Sequence, residues 1–275
     1  MSSIVTDQGI VHYEAYGRGQ PVILLHGWLG SWGYWLRTME TLKQKYRCYA
    51  LDFWGFGESG KRRSTYQVSD FVSLVEQFMD RLGIETAPVV GHSMGGTVAI
   101  LLALTKPGRV QRVIVVGSPV VGTSLNIFLR LAGKPWIASM VWQMPAALQL
   151  GIKLFSPYVV KDWPPWYNMI TRDLSRTTLE AFFLSINSLY KTDLRSQLPS
   201  IATPVMGIYG LGDNVVAPTQ ANIISSSVPV SRVKMMPGSR HFPMLDEPQT
   251  FNDYLAEFLA FDFNSLILND LNPNI

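Results

Sequence analysis

One serine in this chain stands where its hydroxyl could act as a nucleophile. Ser93 lies in Gly91-His92-Ser93-Met94-Gly95-Gly96, after a short apolar run at 87–90 and before a helix-like run at 97–104. Strand, Gly-x-Ser-x-Gly, helix is an arrangement that lifts a serine above a sheet at the positive end of a helix, where developing negative charge is stabilised. The turn is sharp enough to put Ser93 in a strained backbone region. Side chains at Gly91 and Gly95 would collide with the neighbouring strand and helix. The pattern is short and also arises by chance as a Gly-rich strand-to-helix turn; its flanks are what favour a nucleophile.

A serine hydroxyl needs a base, and the base needs an orienting acid. The chain has four histidines: His12, His26, His92 and His241. His12 falls in an N-terminal strand pair, where a structural role is expected. His26 precedes a glycine at a strand end and reads as a structural hydrogen-bonding group, while His92 is expected to face away from the serine's side of the turn. His241 follows the last expected strand, in the loop 237–243. Loops at the carboxyl ends of sheet strands are where ligands meet residues in open α/β sheets, so His241 is the candidate base. Asp213, just past the apolar run 205–210, is the candidate acid, ahead of its reading as a turn or N-cap aspartate. Asp193 precedes that strand and Asp246 reads as the approach to the last helix, so both rank behind it. The order is Ser93, Asp213, His241, each after an expected strand.

The elements that must position these residues alternate. Residues 3–16 read as a strand pair turning near Gln8-Gly9, and the apolar run 22–25 as a strand buried on both faces. Helical spacing follows at 31–43 and 66–82, with a strand at 47–53 between them. A strand at 110–116 ends the first half. The rhythm resumes with strands at 205–210 and 232–236 and helices at 218–227 and 249–261. This predicts an α/β fold with a mostly parallel central sheet and helices on both faces. Residues 119–200 break the pattern: they hold four of the eight tryptophans, no clear strand, and prolines at 135, 145, 157, 164 and 165 that divide the segment into short helices. The expected organisation is a core of 1–118 and 201–262, an inserted helical cap at 119–200, and an Asn-rich tail at 263–275.

With these residues in this order the chain resembles the α/β-hydrolases of the esterase/lipase superfamily over about residues 5–262. The resemblance implies an acyl-enzyme mechanism on Ser93. It also implies that the backbone amides of Trp28, after His26-Gly27, and of Met94, after the nucleophile, form the oxyanion hole. It accounts for Asp52-Phe53-Trp54-Gly55-Phe56-Gly57-Glu58-Ser59, which is similar to the family's Asp-x-x-Gly-x-Gly-x-Ser loop. One departure is Leu29, where a small glycine often stands; Gly30 is the residue expected to take its part. Serine at position 93 excludes the aspartate-nucleophile branch of the fold. The spacing Gly55-x-Gly57-x-x-Gly60 also matches a dinucleotide fingerprint, but Lys61-Arg62-Arg63-Ser64 follows without a helix N-terminus for a pyrophosphate. No His/Cys cluster suggests a metal, and no cofactor is expected.

Composition bounds the partners. At 47% hydrophobic and 16% charged residues the chain can bury a large core. A net charge of +3 with no basic run interleaved with aromatics gives no footprint for nucleic acid. The lone Cys48 excludes an internal disulfide and fits a reducing compartment. The N-terminus has neither a basic nor an apolar signal region, so the expected location is cytoplasmic. The apolar stretch 135–152 contains Gln143, Pro145, Gln149 and Gly151, which argues against a spanning helix. Between residues 119 and 160 the charges are Arg130, Lys134 and Lys153, all positive, among Leu, Ile, Phe, Trp, Met and Val. Beside the bland reading of cap packing, this suggests a wide apolar pocket for a hydrophobic ester with a long acyl or isoprenoid chain, and a basic lip able to meet a membrane surface peripherally. Alternatives on the same fold are a slow-turnover ligand receptor, a perhydrolase, an acyltransferase and a C–C bond hydrolase.

Overall fold

The computed structural model describes residues 2–61 and 65–263. Residues 264–275 of the expected tail, and 62–64 of the stretch after Gly60, lie outside it. Eight strands form one sheet in the order β1-β2-β4-β3-β5-β6-β7-β8. β1 (Ser2–Thr6) and β2 (Gly9–Tyr16) are antiparallel, turning at Gly9 with φ 127°. β3 (Gln20–Leu25), β4 (Tyr46–Leu51), β5 (Ala87–His92), β6 (Val110–Val116), β7 (Val205–Gly210) and β8 (Ser231–Met236) run parallel to one another. β5 and β7 are buried along their whole length. That is why these strands read as unbroken apolar runs instead of alternating ones.

Helices α1 (Leu36–Leu42), α2 (Val68–Arg81) and α3 (Met94–Thr105) connect the first parallel strands. In α3, nine of the twelve residues are buried, so it has no polar face and is sandwiched between the sheet and α2. It begins directly at Met94, three residues before the helix-like run in the sequence. Between β6 and β7 the chain makes α4 (Ile127–Ala132), α5 (Pro135–Trp142), α6 (Pro145–Val159), α7 (Trp163–Ser175) and α8 (Leu179–Lys191). Pro135 and Pro145 begin helices, as the missing N–H allows, and Pro164 and Pro165 fall in the first turn of α7. Pro157 differs from expectation: α6 continues through it to Val159. One turn from the helix end, the ring disturbs only the final bonds. The chain finishes with α9 (Gln220–Ser227), the short α10 (Pro243–Asp246) and α11 (Pro248–Ala260). Among the described residues no helix is long and apolar enough to cross a membrane.

Candidate active site

Ser93 sits at the junction of β5 and α3 with φ 50° and ψ −118°. Among the described residues only Ser93 and Leu29 combine a side chain beyond glycine's with a positive φ, and both line one pocket. Such a conformation costs on the order of 1–3 kcal/mol and persists only when the surroundings enforce it. Here the Ser93 N–H donates to the Val116 carbonyl at 2.8 Å, and the Ser93 carbonyl accepts from Gly96 and Thr97. A Cβ at Gly91 would lie on the Gly95 carbonyl, and one at Gly95 would stand 2.5 Å from the Leu25 oxygen. Both positions therefore exclude side chains, as the turn geometry required.

Ser93 opens on a small pocket of about 120 Å³ that His241 also lines. His241 Nδ1 lies 2.8 Å from Asp213 Oδ2, with both side chains buried. A carboxylate accepts, so Nδ1 carries the proton and Nε2 is left as the basic nitrogen. The other Asp213 oxygen accepts from the amides of Val215 (2.7 Å) and Val216 (2.9 Å), which fixes the carboxylate's orientation. Gly117, with φ 54°, lets this pair approach the end of β6: a Cβ there would stand 3.1 Å from the His241 carbonyl oxygen and 3.3 Å from Asp213 Oδ2.

His92 does not face away as expected. Its Nε2 donates to the His241 carbonyl at 2.9 Å, and its ring packs 4.7 Å from that of His241. Burial first, and the neighbouring His241 second, hold its pKa well below the usual imidazole value. It is a neutral prop beneath His241. The turn alone would aim it away; the loop carrying His241 folds over the turn and brings the two rings together.

His26 fits its structural reading. Its Nδ1 donates to the Gly27 carbonyl at 2.7 Å, and its Nε2 accepts from the Phe53 amide at 2.9 Å. Burial lowers its pKa. The loop it braces carries Trp28 past Ser93: a Cβ at Gly27 would lie 3.0 Å from that of Ser93. The amides of Trp28 and Met94 donate to no carbonyl among the described residues. For Met94 this follows from its place in the first turn of α3, where amides have no intrahelical acceptor. The positive φ in this loop falls on Leu29 (57°) and not on Gly30. Gly30 serves for space instead: a Cβ there would lie 2.5 Å from the Tyr34 ring.

A sequence model of the alpha/beta hydrolase fold matches residues 20–154. The structure superimposes on an esterase from Exiguobacterium antarcticum with a TM-score of 0.82, covering 94% of this chain and 99% of that one at 21% identity, a likeness of fold. The chain belongs to the α/β-hydrolase superfamily. It is 28% identical over 265 residues to an uncharacterized protein of Mycobacterium bovis, covering 90% of this chain and 77% of the relative. It is also 27% identical over 262 residues to the pimeloyl-[acyl-carrier protein] methyl ester esterase of Nitrosomonas europaea, covering 88% and 96%. These relatives include proteins described as esterases.

In this α/β-hydrolase the rival acids lie elsewhere. Asp193 is exposed and paired with Arg195, which holds its pKa down. Asp246 accepts from the amides of Lys161 and Arg240, both at 2.7 Å, and so anchors the loop carrying His241. His12 is buried against Asp52 at 2.9 Å; burial opposes its protonation, but the hydrogen bond and charge of Asp52 outweigh it and raise the pKa. Asp52 also accepts from the amides of Trp32 (2.7 Å) and Glu58 (3.0 Å), and a Cβ at Gly57 would overlap its carboxylate. The glycine loop after β4 thus wraps a carboxylate that braces the Trp28 loop. Among the described residues the next helix after this loop starts at Val68, so no helix N-terminus stands directly behind Gly60 for a pyrophosphate.

Two features escaped sequence reasoning. Asp173 of α7 is fully buried and accepts from Ser31 Oγ at 2.8 Å, and Trp28 Nε1 donates to the Phe182 carbonyl of α8 at 2.8 Å. Both tie the helices between β6 and β7 to the loop beside Ser93. A second cavity, of about 640 Å³, adjoins the Ser93 pocket and shares Trp28, Leu29, Leu129, Ile152 and Phe155 with it. Its lining is apolar throughout and comes mainly from α4, α5 and α6. The apolar composition of 119–160, with its three positive charges, is the feature that led to the expectation of such a pocket.

Proposed function

We propose that this hydrolase cleaves a carboxylic ester with a long apolar acyl chain through an acyl-enzyme on Ser93. The observation that carries the reading is the continuity of the two cavities: a buried serine beside a histidine fixed by a carboxylate, opening into an apolar space of about 640 Å³. His241 Nε2 takes the Ser93 proton as the hydroxyl oxygen attacks the acyl carbonyl. Asp213 holds the proton on Nδ1 and stabilises the imidazolium that forms. The amides of Trp28 and Met94 receive the oxyanion, the second reinforced by the α3 dipole. His241 then protonates the departing alkoxide, and water attacks the acyl-enzyme by the same route in reverse. The chain's similarity to proteins described as methyl ester esterases supports the ester class. The helices between β6 and β7 act as a cap that contributes the acyl site.

The test is hydrolysis of p-nitrophenyl esters from acetyl to palmitoyl by wild type and Ser93→Ala. The expected result is a loss of about 10⁴-fold or more in the variant, with kcat/KM in the wild type rising from acetyl toward the longer acyl groups. A variant as active as wild type refutes the nucleophile. A preference for acetyl refutes the acyl site.

A further inference from the structure

Eight of the twelve large hydrophobic side chains exposed among the described residues fall within one short stretch, from Ile127 to Tyr158. They form outward stripes: Ile127 and Phe128 on α4, Trp136 and Met140 one turn apart on α5, and Leu150, Leu154 and Tyr158 at four-residue spacing on α6. Trp136, Leu154 and Phe128 are 68%, 66% and 64% exposed. Scattered exposed apolar residues are ordinary; a cluster of this size marks a binding surface. The three helices pack in succession, and Phe128 meets Phe155 of α6 edge-on at 5.9 Å, so the stripes belong to one layer.

Charge selects what covers this layer. The sequence holds no acidic residue between Glu85 and Asp162, while Arg130, Lys134 and Lys153 lie within the layer. Lys134 sits between α4 and α5, and Lys153 borders the Leu150–Leu154 stripe. Apolar side chains fringed by cations and free of carboxylates match an anionic lipid headgroup layer above hydrocarbon. The large apolar cavity reaches the same face, because exposed Phe128, Met144 and Leu154 line it.

We infer that α4, α5 and α6 form a docking surface for an anionic phospholipid bilayer, through which an acyl chain passes from the membrane into the cavity beside Ser93. Trp136, Met140 and Leu150 enter the headgroup boundary, Lys134 and Lys153 meet the phosphates, and Phe128, Met144 and Leu154 frame the opening. The inference rests on the proposed ester hydrolysis for its direction of substrate movement, but the docking itself does not.

Docking is measured with the full-length Ser93→Ala protein, by co-sedimentation with vesicles of phosphatidylcholine alone or equimolar with phosphatidylglycerol. The expected result is binding to the anionic vesicles, with a blue shift in tryptophan emission that Trp136→Ser removes. Lys134→Glu with Lys153→Glu should weaken anionic-vesicle binding by at least about 25-fold, from roughly fivefold per lysine, and leave phosphatidylcholine binding little changed. Trp136→Ser with Leu150→Ser should abolish sedimentation. In the Ser93 background these same surface substitutions should leave hydrolysis of a soluble short-chain ester unchanged, which establishes that the variants fold. Ester hydrolysis without vesicle binding overturns the docking surface and spares the proposed function; vesicle binding without ester hydrolysis does the reverse. Concentration-dependent dimers that Trp136→Ser dissociates, in a protein that ignores vesicles, would assign the face to a second copy of the chain and overturn the inference.

Discussion

Removing one hydroxyl should expose how firmly the helices between β6 and β7 hold the loop beside Ser93. Ser31 Oγ donates to Asp173 Oδ2 at 2.8 Å, with Ser31 3% and Asp173 0% exposed. The other oxygen of Asp173 has Arg172 Nε at 3.3 Å, from a side chain that is half exposed. Ser31→Ala therefore takes the better partner from a buried carboxylate. A hydrogen bond to a buried charge contributes about 1.5–3 kcal/mol, so a loss near 2 kcal/mol is expected at neutral pH. For a chain of this size that is about 4–8 °C in the melting midpoint. Burial raises the pKa of Asp173, and the bonds from Ser31 and Arg172 only partly oppose it. A raised folded pKa means the protonated form is favoured by folding. This contribution is present at low pH and is lost as the pH rises through the folded value. Asp173→Asn keeps an acceptor for Ser31 and removes the charge. It should match or exceed wild type in stability at neutral pH, with the difference shrinking toward about pH 4. Urea denaturation followed by circular dichroism at both pH values reads all three proteins. Ser31→Ala unfolding with wild type at neutral pH, or Asp173→Asn falling as far as Ser31→Ala, would refute the reasoning.

Asp213→Asn should lower kcat/KM on a p-nitrophenyl ester by about 10³–10⁴-fold through loss of the Nδ1–H tautomer; a variant within tenfold of wild type removes Asp213 from the mechanism. Gly91→Ala sets a methyl group on the Gly95 carbonyl and should cost more than about 3 kcal/mol, measured as a lower urea midpoint or loss of soluble protein. Ala147→Phe, at an exposed position lining the large cavity, should cut palmitoyl ester hydrolysis at least tenfold more than acetyl ester hydrolysis; equal losses would place the acyl chain elsewhere.

The parallel strands were legible because burial on both faces leaves an uninterrupted apolar run between glycines and prolines. β6 and β7 begin and end at the residues the sequence suggested. Asp213 and His241 were legible for a related reason. Each follows such a run, and a parallel sheet delivers the carboxyl ends of its strands to one edge. β4 stops at Leu51, two residues early: the Asp52 amide still bonds the His12 carbonyl of β2, and beyond it the chain turns away to wrap the Asp52 carboxylate.

What could not be read depends on contacts between distant segments. Leu29 carries no signal that its φ is positive, and the glycine beside it, Gly30, is needed for space against Tyr34 instead. Asp173 looks like any helical aspartate until α7 brings it to Ser31. The division into core and cap is useful for finding Ser93, Asp213 and His241, yet it hides the coupling between them. The His241 amide donates to the Val159 carbonyl at the end of α6, Phe182 of α8 holds the Trp28 indole, and Asp173 of α7 holds Ser31. Three helices of the insertion thus bond directly to the loops on either side of Ser93. A displacement of α6 would therefore reach His241 through one hydrogen bond, which links the wall of the large cavity to the loop carrying His241.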